Sequence, residues 1–183
     1  GSVFLQSTSL EAEARPIMRH LADETRQTAN LGILDHAQEV DIEVVAPDRP
    51  VRFWPSIGKR EDAHVSGLGK VLLTSLTPKA LNQYLSMERV AVTPATITGA
   101  DDLRAELDAI RANGYAIDNE ESNQGVICVA APIHDGRGRI AAAVSISGAR
   151  AEFTADGTLE RYIARVQSAA SDISARVGWT GKA

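Results

Sequence analysis

Cysteine is almost missing from this chain: Cys128 stands alone, which excludes an internal disulfide framework and a Cys-x-x-Cys metal knuckle. Aromatic residues are scarce too, at 4%, so a core must be built from Ala, Val, Ile and Leu. No apolar run approaches the roughly 18 residues of a membrane span, and no basic-then-apolar segment opens the chain. A surplus of positive charge is also lacking, because 19 Lys and Arg stand against 24 Asp and Glu, a formal net charge of -5. A chain that gripped phosphates would be expected to carry a basic stripe. Here the densest basic pair, Lys59-Arg60, is followed at once by Glu61 and Asp62. Direct nucleic-acid binding by these residues alone is not expected, and the absences together predict a cytoplasmic domain with no membrane association.

What is present suits one globular domain. The 183 residues are 44% hydrophobic and 23% charged, and a chain of this length buries roughly 70% of its unfolded surface. Gly1-Ser2 resembles a tag-cleavage scar, which predicts a piece of something longer, with residues 1–9 as a lead-in and 10–179 as the domain. Leu10, Ala14, Ile17 and Leu21 mark one helix stripe ending near residue 27, with Pro16 delaying its regular part to about Arg15. Residues 29–34 and 40–46 predict strands around a turn at 35–38, and a short extended piece over 51–54 precedes a charged loop. Helices are predicted over 66–76, from Pro78, and through Leu103, Leu107 and Ile110 up to a stop at Gly114. A strand at 115–118 follows. Apolar runs at 126–133 and 139–147 flank Asp135-Gly136-Arg137-Gly138, a hairpin signal. A final helix spans about 155–177. The order predicts an α+β fold with a largely antiparallel sheet.

The candidate chemistry is spread over four places. Gly67-Leu68-Gly69-Lys70 resembles half a phosphate loop, but His64 replaces the required upstream glycine and Val71 the required Ser or Thr, so the nucleotide reading fails. What survives is a turn whose free N–H groups can hold an anion, or, more simply, close helix packing. Asp118, Glu120 and Glu121 form either an acid/base cluster or an acidic loop. Cys128 in mid-strand reads as a buried thiol, with a nucleophilic pairing to His64 as the catalytic alternative. Period-two alternation puts Ser145 and Ser147 on one strand face and Val126 with Cys128 on one face of the neighbouring strand. Nothing in the spacing calls for a metal or cofactor.

Six blocks carry a resemblance: TANLGIL at 28–34, HVSGLGKVLL at 64–73, TIT at 96–98, GYAIDNEE at 114–121, GVICVAAP at 125–132 and AVSISG at 143–148. In this order they are similar to the C-terminal effector-binding domain of the IclR family of bacterial transcription regulators. The resemblance implies a GAF-like fold, a curved, largely antiparallel sheet flanked by helices and cupping a small molecule. It implies a winged helix-turn-helix ahead of this domain that is absent from this sequence, DNA contact only through that part, and a homodimer or homotetramer. It implies effector contacts from Gly67, Leu68, Asp118, Val126, Cys128, Ser145 and Ser147, with Phe53 and Trp54 as an apolar wall, toward a small organic acid, aromatic ones included. Glu61 departs from the family pattern, where an apolar lid is usual. An enzyme using Cys128, His64 and Asp118, and an oligomerisation scaffold with a vestigial cup, are the rival readings.

Overall fold

The computed structural model describes residues 2–51, 56–179 and 181. The extended piece expected at 51–54, with Phe53 and Trp54, therefore falls outside the described residues for all but its first position. Six strands form one fully antiparallel sheet in the order β3-β2-β1-β6-β5-β4. They are β1 (Thr28–Asp35), β2 (Gln38–Val45), β3 (Arg60–Asp62), β4 (Ala116–Asn119), β5 (Val126–His134) and β6 (Ile140–Ala149). The helices are α1 (Ser2–Thr25), α2 (Gly67–Leu73), α3 (Pro78–Ser86), α4 (Ala100–Asn113), the single turn α5 (Arg150–Phe153) and α6 (Thr158–Arg176). This is the α+β fold the sequence predicts.

Helices cover both faces of the sheet. On one, Met18 and Leu21 of α1 and Val166 and Ile173 of α6 share a core with Leu31, Val144 and Ile146. On the other, Leu68, Val71, Leu103 and Leu107 pack over Ala116, Ala130 and Ala143. Alanine at those sheet positions lets α2 settle close to the strands. At Gly69 even a methyl group would overlap the carbonyl oxygen of Ala63.

Three elements depart from expectation. Helix α1 runs from Ser2 straight through Pro16, although proline removes one backbone hydrogen bond. The buried stripe of Leu10, Ala14, Met18, Leu21 and Ala22 compensates, with Met18 rather than Ile17 turned fully inward. The charged loop forms the short edge strand β3, pairing Arg60 with Val40 and Asp62 with Gln38; charge on an edge discourages further strand addition. Strand β2 carries a bulge: Leu31 pairs with Glu43 but Gly32 with Asp41, leaving Ile42 as an extra residue. An inserted residue reverses which face the following side chains occupy. Glu43 thus meets Arg15 of α1 at 2.6 Å on one face, whereas Asp41 and Glu39 turn to the other, beside α2.

Candidate functional site

A cavity of about 490 Å³ opens between the N-terminal end of α2 and the sheet. Strand register builds its floor. Cys128 pairs with Ser147, Ala130 with Ser145, and Asn30 also with Ser145, so side chains from three adjacent strands share this face. The Asn30 amide donates to Ser145 Oγ at 3.2 Å and Ser147 Oγ at 3.1 Å. Both hydroxyls accept from the same amide, which leaves their own protons free to be donated into the cavity.

The roof is the start of α2. Ser66 caps the helix, its Oγ accepting from Gly69 N–H at 2.9 Å and its carbonyl from Lys70 N–H at 3.0 Å. The first-turn amides of Gly67 and Leu68 have no intrahelical acceptor at this end, and both residues line the cavity with Val126, Cys128, Ser145 and Ser147. A Cβ on Gly67 would lie 3.4 Å from Ala130 Cβ and 3.6 Å from Cys128 Cβ, which shows how closely this turn approaches the floor.

Asp118 takes a different position. It is fully buried beside Cys128, but it is not among the lining residues. Its carboxylate accepts from Glu121 N–H at 2.7 Å, Ser122 N–H at 3.2 Å and Ser122 Oγ–H at 2.5 Å. Burial raises its pKa, and the three donors oppose that rise. Asp118 therefore fixes the loop after β4, which presents Ser122, Asn123 and Gln124 as the cavity wall. The half phosphate loop is likewise a structural device. Lys70 is fully buried, with Nζ 2.7 Å from Glu121 Oε1 and donating to the Ile117 carbonyl at 2.8 Å. It ties α2 to the same loop.

The catalytic alternative loses its geometry. His64 Nε2–H donates to the Val90 carbonyl at 2.8 Å, and His64 is not a lining residue. Burial, reinforced by the Asp118 and Glu61 carboxylates, pushes the Cys128 thiol well above its usual pKa, the opposite of what activates a nucleophile. Among the described residues no group of three or more His, Cys, Asp or Glu is arranged to hold a metal ion.

Of the other end of the cavity, the sequence reading singled out Glu61 alone. Glu39, Asp41, Lys59 and Glu61 line it. Lys59 Nζ pairs with Glu61 Oε1 at 2.6 Å. Glu39 and Asp41 are 2% and 5% exposed, and each carboxyl group perturbs the titration of the other. Burial raises the pKa of both, and at Glu39 the Asp41 carboxylate adds to the rise. Alternation of Glu39, Asp41 and Glu43 with Val40, Ile42 and Val44 has the look of a solvated strand face. The available signal was Gly32 in the facing apolar run, where a Cβ would come within 2.6 Å of Glu39 Oε1.

This fold, with a cavity under a short helix and a serine-bearing strand, defines a class. Residues 3–175 match the family described as bacterial transcriptional regulator IclR C-terminal, and the chain belongs to it. Among curated relatives, the HTH-type transcriptional regulator BhcR of Paracoccus denitrificans is 40% identical over 149 residues, covering 81% of this chain and 53% of that protein. The HTH-type transcriptional regulator KdgR of Dickeya chrysanthemi is 35% identical over 180 residues, 98% of this chain and 59% of that protein. This chain thus spans between half and three-fifths of both relatives. The solved C-terminal domain of the Escherichia coli transcriptional regulator KdgR superposes with a TM-score of 0.83 at 34% identity, covering 93% of this chain and 99% of that one.

Proposed function

We propose that this domain is the ligand sensor of a transcription regulator and that a small organic acid is its effector. The observation that carries the reading is the set of unused donors around one cavity: the Ser145 and Ser147 hydroxyls, oriented by Asn30, face the amides of Gly67 and Leu68. Such donors suit a carboxylate. Cys128 and Val126 bound the site. Asp118 acts indirectly, by holding the loop. No bond is made or broken in this function. The effector acts by binding one arrangement of a homodimer or homotetramer more tightly than another, since only differential affinity shifts a population. DNA is contacted by a winged helix-turn-helix outside this chain, in the cytoplasm.

A thermal-shift screen against small carboxylic acids tests the reading. An effector at 100 times its Kd adds about 2.7 kcal/mol, which in a domain of this size raises Tm by roughly 5–10 °C. Ser147→Ala is expected to weaken binding of the acid so found by about 0.5–1.5 kcal/mol. Identical affinities for wild type and Ser147→Ala would refute the site.

A further inference from the structure

We infer that the effector is an amino-carboxylate, its ammonium group held by the Glu39–Asp41 pair at the end of the cavity away from the helix turn. The inference rests on the sensing function proposed above and names the chemical class of its ligand. Two kinds of observation support it independently.

The first is a pair of buried acceptors that the protein's own donors leave empty. Three buried side-chain polar atoms have no hydrogen-bond partner among the described residues, and two of them, Asn30 Oδ1 and Glu39 Oε1, belong to residues that line this cavity. Both are acceptors, and their residues are 5% and 2% exposed. Buried acceptors are rarely left empty in a functioning protein, so the missing partner must donate. A plain carboxylic acid offers no donor once ionised, and a hydroxy acid offers one. An ammonium offers three.

The second is charge. Of the groups that face this end of the cavity, Lys59 is engaged with Glu61 at 2.6 Å. Neither Glu39 nor Asp41 forms an ion pair among the described residues. Burial and the neighbouring Asp41 carboxylate favour the protonated form of Glu39, and a bound organic cation would displace that proton while satisfying the same oxygens. Among the described residues no group of three or more His, Cys, Asp or Glu is arranged to hold a metal ion; the occupant this pair suits is an organic cation. Gly32 leaves the space that Glu39 occupies: a Cβ there would come within 2.6 Å of Glu39 Oε1.

Isothermal titration of the domain with matched probes tests this. Glycine, β-alanine and 4-aminobutyrate are compared with acetate, propionate and butyrate, and with glycolate, 3-hydroxypropionate and 4-hydroxybutyrate. At least one amino acid is expected to bind tenfold or more tightly than both of its counterparts, and to release protons on binding at neutral pH. Asp41→Asn should bring that ratio close to one; Glu39→Gln is the second variant should Asp41→Asn fail to fold. Ser147→Ala should weaken the amino acid and the plain acid alike. A plain or hydroxy acid that binds as tightly as its amino counterpart, or a preference that survives both carboxylate variants, overturns the inference and leaves the sensing function standing. Binding by none of the nine probes overturns this inference together with the proposed carboxylate seat.

Discussion

Replacing Lys70 by Met probes how the cavity is held in shape. Lys70 is 0% exposed and its ammonium touches three acceptors: Glu121 Oε1 at 2.7 Å, the Ile117 carbonyl at 2.8 Å and Glu106 at 3.6 Å. Methionine keeps much of the apolar stem, so the change isolates the charge. It leaves Glu121, whose side chain is 9% exposed, buried without its cation. Removing one partner of a buried pair costs about 3–5 kcal/mol, because the remaining charge stays desolvated. Against a typical total of about 5–15 kcal/mol, that is a large share. With a urea slope near 2 kcal/mol/M, the midpoint should fall by roughly 1.5–2.5 M. Neutralising the orphan should then restore most of the loss: Glu121→Gln in the Lys70→Met background keeps an oxygen for Asn119 N–H, which Glu121 Oε2 now accepts at 2.9 Å. The double variant is expected within about 2 kcal/mol of wild type. Chemical denaturation followed by far-UV circular dichroism measures all four corners of the cycle. A loss below about 1 kcal/mol for Lys70→Met, or no recovery in the double variant, would refute the claim that this pair secures the loop wall.

The legible parts of the fold were those where one local rule suffices. Helix α4 announces itself by Leu103, Leu107 and Ile110 at helical spacing, all buried, and by Gly114 stopping it at φ 77°. The 135–138 turn joins β5 to β6, with Asp135 Oδ1 accepting from the N–H groups of Arg137 and Arg139. Period-two counting correctly brought Cys128, Ser145 and Ser147 to one face. The failures came where a distant contact outweighs local preference. Pro16 sits inside α1 because the flanking apolar residues are anchored against the sheet and α6. Arg60, Glu61 and Asp62 pair as a strand because β2 offers them an open edge. The fold also gives Asp118 a role its place in the chain does not announce, since its oxygens hold the loop that follows.

The acid end was hidden for a more specific reason. Strand arithmetic assigns Glu39, Asp41 and Glu43 to one face, and a face of three carboxylates reads as solvated. The bulge at Ile42 divides them between the two faces. Glu43 goes to Arg15, while Glu39 and Asp41 turn to the cavity face beside α2. The bulge leaves no signature in the strand's own sequence. The cavity's polarity is therefore a product of register, which only the assembled sheet defines.

Two further predictions follow from the same elements. Gly69→Ala should cost at least the ~3 kcal/mol upper end of ordinary overpacking, since its methyl would overlap the Ala63 carbonyl, whereas Gly67→Ala meets only contacts of 3.4 Å or longer and should stay within about 1 kcal/mol by urea denaturation. The second concerns pH. Burial, then the charges of Asp41 and Glu61, raises the Glu39 pKa from 4.5 to about 9. A carboxyl group with a raised folded-state pKa binds its proton more tightly when folded, so the unfolded chain releases that proton first as pH rises. Stability from this group is complete below about pH 4.5, declines between there and about pH 9, and reaches its floor above. Asp118 and Asp41 shift in the same direction, so the wild-type slope alone does not isolate Glu39. The difference between Glu39→Gln and wild type does, because glutamine has no proton to lose and can still donate to Asp41. At pH 5 the two proteins should have nearly equal urea midpoints, and at pH 9 the variant should be the more stable. A difference that stays constant from pH 5 to pH 9 would show that Glu39 titrates as an ordinary exposed carboxylate, and a protonated Glu39 at the acid end would have to be abandoned.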